Sequence, residues 1–161
     1  GALKILDSNL QCEDNFKERI KLAKELSIQP LTAFIYVAKD PIALSERLQL
    51  AQEQQSIIKG GIKLRNYLKN IYYSKEYKGW TASRWTTILE QKNLHKHSLA
   101  LEIHINNPLK KYLLNWLNNW SKLESPIKGE DLLAKGWEPG PEIGIEINRQ
   151  RMRLIDNISN I

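Results

Sequence analysis

The sequence predicts an all-α protein, a compact array of about seven to nine helices ending in a short helix–turn–helix built on Pro-Gly-Pro. Apolar residues recur at spacings of three and four along nearly the whole chain, whereas the period-two alternation of a half-buried strand is hard to find. Pro and Gly are few and placed where helices would begin or end. Hydrophobic residues at 42% against 26% charged are enough to build a core. A chain of 161 residues suits one compact domain or two small helical subdomains sharing an interface.

Asp14 or Asn15 can cap a first helix running to about Leu26, with Phe16, Ile20, Leu22, Ala23 and Leu26 on its buried face. Pro30 opens a short apolar helix, Leu31 to Ala38. Asp40-Pro41 reads as a cap followed by proline at the first helical position, starting a helix with Ile42, Leu44, Leu48 and Ala51. Periodicity alone carries that helix to Ile58, and Gly60-Gly61 is expected to break the chain. Ile62 to Tyr73 follows, with Leu64, Tyr67, Leu68 and Ile71 inward and Lys63, Asn66 and Lys69 outward.

After the loop SKEYKG, Thr81 or Ser83 caps a helix through Leu89 that carries Trp85 and Ile88, and a further helix covers Ser98 to Ile105. Beyond Asn107-Pro108, Leu109, Tyr112, Leu113, Trp116, Leu117, Trp120 and Leu123 form one apolar stripe on a single long helix. The last element is a turn between two helices. Gly129, Asp131, Leu132, Gly136, Pro139, Gly140, Pro141 and Gly144 fall within sixteen residues, a density that specifies one backbone path. Asp131 is placed to cap Leu132 to Lys135, Gly136 to end that helix left-handed, and Gly140-Pro141 to start the next. Glu142 complements the positive helix end, and Gly144 leaves room for a neighbouring helix.

In its order and spacing of Gly-x-Asp-Leu, Gly, Pro-Gly-Pro and Gly, this segment resembles the C-terminal tail of the bacterial tRNA nucleotidyltransferase (CCA-adding enzyme) and poly(A) polymerase family. Arg149 to Asp156 is similar to the family's closing helix, although Leu154-Ile155-Asp156 is one residue longer than its usual Leu-Asp. SERLQLAQEQ also resembles a body segment in which one helix ends and another begins, which offers a break near Leu50-Ala51. The resemblance extends with falling specificity from about Asp40 to the C-terminus, and implies a body-like region over 1–124 and a tail over 125–161, in one continuous folded unit.

The resemblance implies a nucleotidyltransferase parent that extends the tRNA 3′ end using ATP, CTP and magnesium. This chain is expected to lack that chemistry. No Asp-x-Asp or Gly-Ser pair, which the family's catalytic head uses to hold metal and nucleotide, occurs in it. Glu13-Asp14-Asn15-Phe16-Lys17 resembles the family's Glu-Asp-x-x-Arg only in part, because Lys17 stands where a planar bidentate Arg is needed. His95, His97, His104 and Cys12 lack metal-ligand spacing, so no catalytic or metal residue and no cofactor is assigned.

What remains is binding. The net charge of +6 fits an anionic partner. Lys128, Lys135, Arg149, Arg151 and Arg153 surround the turn, and Lys110 and Lys111 add charge at the long helix. Cations at this density neutralise phosphates without reading sequence, which suits tRNA recognised by shape. Trp80, Trp137 and Tyr77 can stack on bases or pack under a loop. The expected partners are tRNA and a catalytic head in cis or trans. The alternative is a helical protein-interaction or dimerisation module. A single cysteine, no apolar run of about 18 residues and no apolar N-terminal core point to the cytoplasm and away from a membrane.

Overall fold

A computed structural model describes residues 16–25, 28–91, 96–103 and 108–159, and every regular element among them is helical. The elements are α1 (Phe16–Glu25), α2 (Pro30–Ile35), α3 (Pro41–Arg47), α4 (Gln52–Ser74), α5 (Ala82–Gln91), α6 (Lys96–Ile103), α7 (Lys110–Asn118), a 3₁₀ turn Trp120–Lys122, α8 (Gly129–Ala134) and α9 (Pro141–Ile158). Among the described residues no helix is long and apolar enough to cross a membrane. The caps expected at Asp14 or Asn15 lie outside the described residues.

Contacts divide the chain into two units, 1–75 with 93–110 and 76–92 with 111–161. The division does not fall at 124/125. The tail segment shares a unit with 76–92 because α9 packs on α5 as well as on α8.

In the first unit α6 lies along α4 and also meets α1, while α2 and α3 link α1 to α4. Its core holds Ala33, Ile35, Tyr36, Ile58 and Leu101, each almost fully removed from solvent. Asp40 caps α3 by accepting a hydrogen bond from the Ala43 N–H at 3.0 Å, with Pro41 in the first turn. The chain does break before α4: Gln49 takes φ +50°, and the Gln55 side-chain amide donates to the Leu50 carbonyl at 2.9 Å.

Gly60-Gly61, by contrast, breaks nothing; α4 runs straight through the pair. A Cβ at Gly60 would lie 2.7 Å from the Ser98 Oγ, and one at Gly61 would lie 2.6 to 2.8 Å from the Tyr36 ring and hydroxyl. The two glycines are where α6 and Tyr36 approach the backbone of α4, so their role is close packing inside a helix. Ser98 fixes the approach by donating to the Ile57 carbonyl at 2.8 Å. Against Gly61, Tyr36 donates to Glu102 Oε2 at 2.8 Å, and Arg65 Nε reaches the same oxygen at 3.1 Å. The Arg65 guanidinium lies 4.6 Å from the Tyr36 ring centroid. Burial first, and then the Glu102 charge, push the Tyr36 hydroxyl pKa well above its ordinary value.

The second unit is built on aromatic rings. Trp85 is fully buried and stacks on Tyr112 at 4.7 Å and 13°, with Trp80 edge-on to Trp85 at 5.0 Å and Tyr77 edge-on to Tyr112 at 6.1 Å. The stripe expected on one helix from Leu109 to Leu123 is divided: α7 ends at Asn118, and the chain tightens into i→i+3 bonds from Lys122 to Asn119 and from Leu123 to Trp120. Two asparagines in succession favour that exit, and the tighter turn keeps Trp120 buried.

The glycines yield opposite expectations for one substitution. Gly61→Ala inserts a methyl into the Tyr36 ring and is expected to destabilise by about 1–3 kcal/mol despite alanine's better helix propensity. Gly144→Ala, inside α9 with nothing within 4 Å of its Cβ position, is expected to stabilise by about 0.5–1 kcal/mol. Urea denaturation of both variants checks the pair.

Candidate nucleic-acid interface

The expected site is the turn between α8 and α9 and the cations around it. α8 begins at Gly129, three residues earlier than Asp131 as its cap would require. Asp131 instead occupies the third helical position, and its carboxylate reaches back to accept the Lys128 N–H at 2.7 Å. That carboxylate also lies in the first turn, where the helix dipole favours it. Gly136 ends the helix at φ +86°, the left-handed conformation in which glycine carries no penalty. Gly140 is the residue before α9, and Pro139 and Pro141 flank it. Its φ of 173° is extended backbone open to any residue.

Gly144 does not admit a neighbouring helix. It is exposed, and nothing lies within 4 Å of where its Cβ would be. The same open space surrounds Gly140, and a Cβ at Gly129 would make only an ordinary 3.6 Å contact with Ile143. Of the four glycines in the motif, only Gly136 is demanded by the backbone.

The cations sort into two groups. Arg151 is turned inward and held on three sides: Nη1 and Nη2 pair bidentately with Glu90 of α5 at 2.8 and 2.7 Å, and Nε donates to the Leu123 carbonyl at 2.7 Å. Its side chain is 18% exposed, and the hydrogen bond to Glu90 raises its pKa. Arg151 therefore ties α9 to α5 and to the segment after the 3₁₀ turn, with no fork left for a phosphate.

Arg149 is exposed but pairs with Glu146 on its own helix, through Nε at 2.7 Å and Nη2 at 2.6 Å. The Gln150 amide also donates to Glu146 at 2.6 Å. Hydrogen bonds from Arg149 first and Gln150 second hold the Glu146 carboxyl below its usual range. Arg153 is exposed and makes no hydrogen bond or ion pair among the described residues, although its charge also bears on Glu146. Lys128 and Lys135, at the two ends of α8, are exposed. Lys110, the first residue of α7, is half-buried, and Lys111 is exposed with its ammonium 4.7 Å from the Tyr112 ring centroid.

Sequence reasoning missed the role of Asp156. Its carboxylate accepts the Ser83 N–H at 2.8 Å and the Ser83 hydroxyl at 2.7 Å, so a side chain of α9 caps the N-terminus of α5. Thr81 completes that cap by accepting the Arg84 N–H at 3.2 Å. No local pattern announces a cap delivered from 73 positions away.

The charge is also distributed differently from what a basic tail implies. Residues 76–92 and 111–161 contain ten Lys and Arg against nine Asp and Glu, whereas 1–75 and 93–110 contain fourteen against nine. The positive excess belongs to the first unit.

Cys12, the 13–15 part of the partial Glu-Asp-x-x-Arg match, His95 and His104 lie outside the described residues, while His97 sits in α6. Among the described residues no three His, Cys, Asp or Glu side chains gather to hold a metal. No family model, curated protein or solved structure matches this chain.

Two outcomes follow from these contacts. Asp156→Ala strips two hydrogen bonds from the start of α5 and is expected to lower stability by about 1–3 kcal/mol in denaturant unfolding. The Glu146 carboxyl, depressed in the folded state, adds stability above its unfolded pKa that is lost as pH falls through its folded pKa. Carboxyl NMR titration is expected to place it below the exposed glutamates, and Arg149→Ala to move it back up.

Proposed function

We propose that this chain is an RNA-holding body-and-tail portion of a tRNA nucleotidyltransferase-like or poly(A) polymerase-like protein. It grips tRNA through shape and phosphates while catalysis belongs to a head it does not supply. The observation that carries this reading is the tail motif's mismatch with its own fold. Gly129, Gly140 and Gly144 recur at the family's spacing, yet none is required by a neighbouring atom or a left-handed φ. A glycine inside α9 weakens the helix, and its gain comes when a partner's backbone lies against it.

The exposed cations beside that surface are Lys128, Lys135, Arg149 and Arg153. Arg149, more than half exposed, can turn to a phosphate while the nearly buried Glu146 keeps the Gln150 amide as its donor. Arg151 is not part of the gripping set. Neither nucleotide nor magnesium is assigned a residue; ATP and CTP belong to the proposed parent activity.

A second reading, a helical module that binds protein or dimerises, is favoured by exposed Leu133, Trp137, Ile145 and Ile158 in the same unit. Salt separates the two, because phosphate contacts weaken steeply with salt and apolar interfaces do not.

Binding of labelled full-length tRNA at two salt concentrations, beside an RNA duplex, tests the proposal. Preference for tRNA is expected, with log K falling against log salt at a slope no steeper than about −4, as four phosphate contacts allow. The double variant Arg149→Ala, Arg153→Ala is expected to weaken binding roughly three- to tenfold. Glu146→Gln is expected to strengthen it by freeing Arg149. Absence of tRNA binding at low salt sinks the RNA reading and leaves the protein-partner one.

A further inference from the structure

The second unit carries a cavity of about 480 Å³ whose walls include Trp80, Thr81, Lys111, Tyr112 and Asp156. That volume lies within the roughly 300–1,000 Å³ typical of small-molecule sites. Its chemistry differs from that of the tail surface.

The aromatic wall is preorganised. Trp85 is fully buried, stacked on Tyr112 and in edge contact with Trp80, so both lining rings are backed by one immobile ring. Trp80 itself is half-exposed. Two cations stand against this wall: the Arg84 guanidinium 5.6 Å from the Trp80 ring centroid, and the Lys111 ammonium 4.7 Å from that of Tyr112. On another side Asp156 lines the cavity. It accepts two hydrogen bonds from Ser83, and a carboxylate has about four acceptor positions, so capacity remains for a ligand donor.

These groups restrict the ligand. The aromatic wall takes a planar ring, Lys111 takes an anion, and Asp156 repels an anion but accepts an N–H or O–H. A nucleotide presents all three features a few ångströms apart: base, phosphate and amino or sugar hydroxyl groups. Base-on-aromatic stacking with a cation for the phosphate is also how single strands are gripped without reading sequence. A paired base offers no free face, so the nucleotide must be unstacked.

We propose that this cavity holds one unpaired nucleotide, with its base against Trp80, its phosphate at Lys111 and a hydrogen-bond donor at Asp156. The assignment rests on the RNA-binding reading and adds to it a second contact point, away from the α8–α9 turn in sequence.

Fluorescence anisotropy of the intact protein with labelled short oligoadenylate and with labelled tRNA tests it, using 5′-AMP as competitor and circular dichroism to confirm folding. Trp80→Leu is expected to weaken oligoadenylate binding about tenfold or more, and Trp80→Phe, which keeps a ring, by less than about threefold. Lys111→Ala is expected to reduce the salt slope for oligoadenylate by about 0.7, one single-strand phosphate. Competition by AMP that is lost in Trp80→Leu identifies free nucleotide as a source; binding of the strand alone identifies RNA.

Oligoadenylate binding unchanged in a folded Trp80→Leu overturns the proposal. Should Trp80→Leu not fold, an unchanged salt slope in Lys111→Ala overturns it instead. If tRNA binding depends on Arg149 and Arg153 while oligoadenylate ignores Trp80 and Lys111, this site falls and the tail reading stands. If the wild-type protein binds no RNA at low salt, both fall.

Discussion

The first unit depends on what the deeply buried carboxylate of Glu102 requires. Glu102 has a side chain only 2% exposed, and a carboxylate taken out of water must be held by donors. Tyr36 from the segment after α2 and Arg65 from α4 converge on the same oxygen, and Arg65 also covers the tyrosine ring. The ring can lie there only because Gly61 has no side chain. Three segments are thereby fixed by one charge. The desolvation of such a group offsets much of its attraction to its donors, and removing one donor leaves an uncompensated buried charge, which is the costly outcome.

The second unit uses the same device at its margin. α9 buries Ile155 completely. Its position is also set by two polar locks that both engage α5: Arg151 on Glu90 near the end of that helix, and Asp156 on Ser83 at its start. Each lock pairs a charge with a group that would otherwise carry an unsatisfied donor or acceptor. The consequence reaches function, since one of the three arginines on the helix is taken up by the fold.

Most of the helices were legible because their signals are local. Asp40-Pro41, Thr81, Gly136 and Gly140-Pro141 act on the backbone within a few residues, and the structure uses each as a cap or boundary. Two of the errors have one cause. Gly60-Gly61 as a breaker and Gly144 as a packing notch follow from residue type alone, but each outcome depends on whether a distant side chain is present. At Gly60-Gly61 Tyr36 and Ser98 fill the space; at Gly144 nothing does. Arg151 and Arg153 look equivalent in sequence, yet Glu90 takes only the first. Spacing places cations on a face but cannot say which will be neutralised.

A nearly balanced count of charges in the second unit bears on how it would hold RNA. Phosphate attraction there comes from a few lysines and arginines, several with acidic neighbours, and screened pairs of this kind give little affinity by themselves. An interface built on them needs a contribution that salt does not erase. The half-exposed indole of Trp80, backed by the buried ring of Trp85, offers one, because stacking persists where Coulomb attraction fades. Gly144, left open on α9, offers another, through close backbone approach. Weak cations, a fixed ring and an unobstructed helix surface favour a partner whose shape brings all three into register over one that is merely anionic.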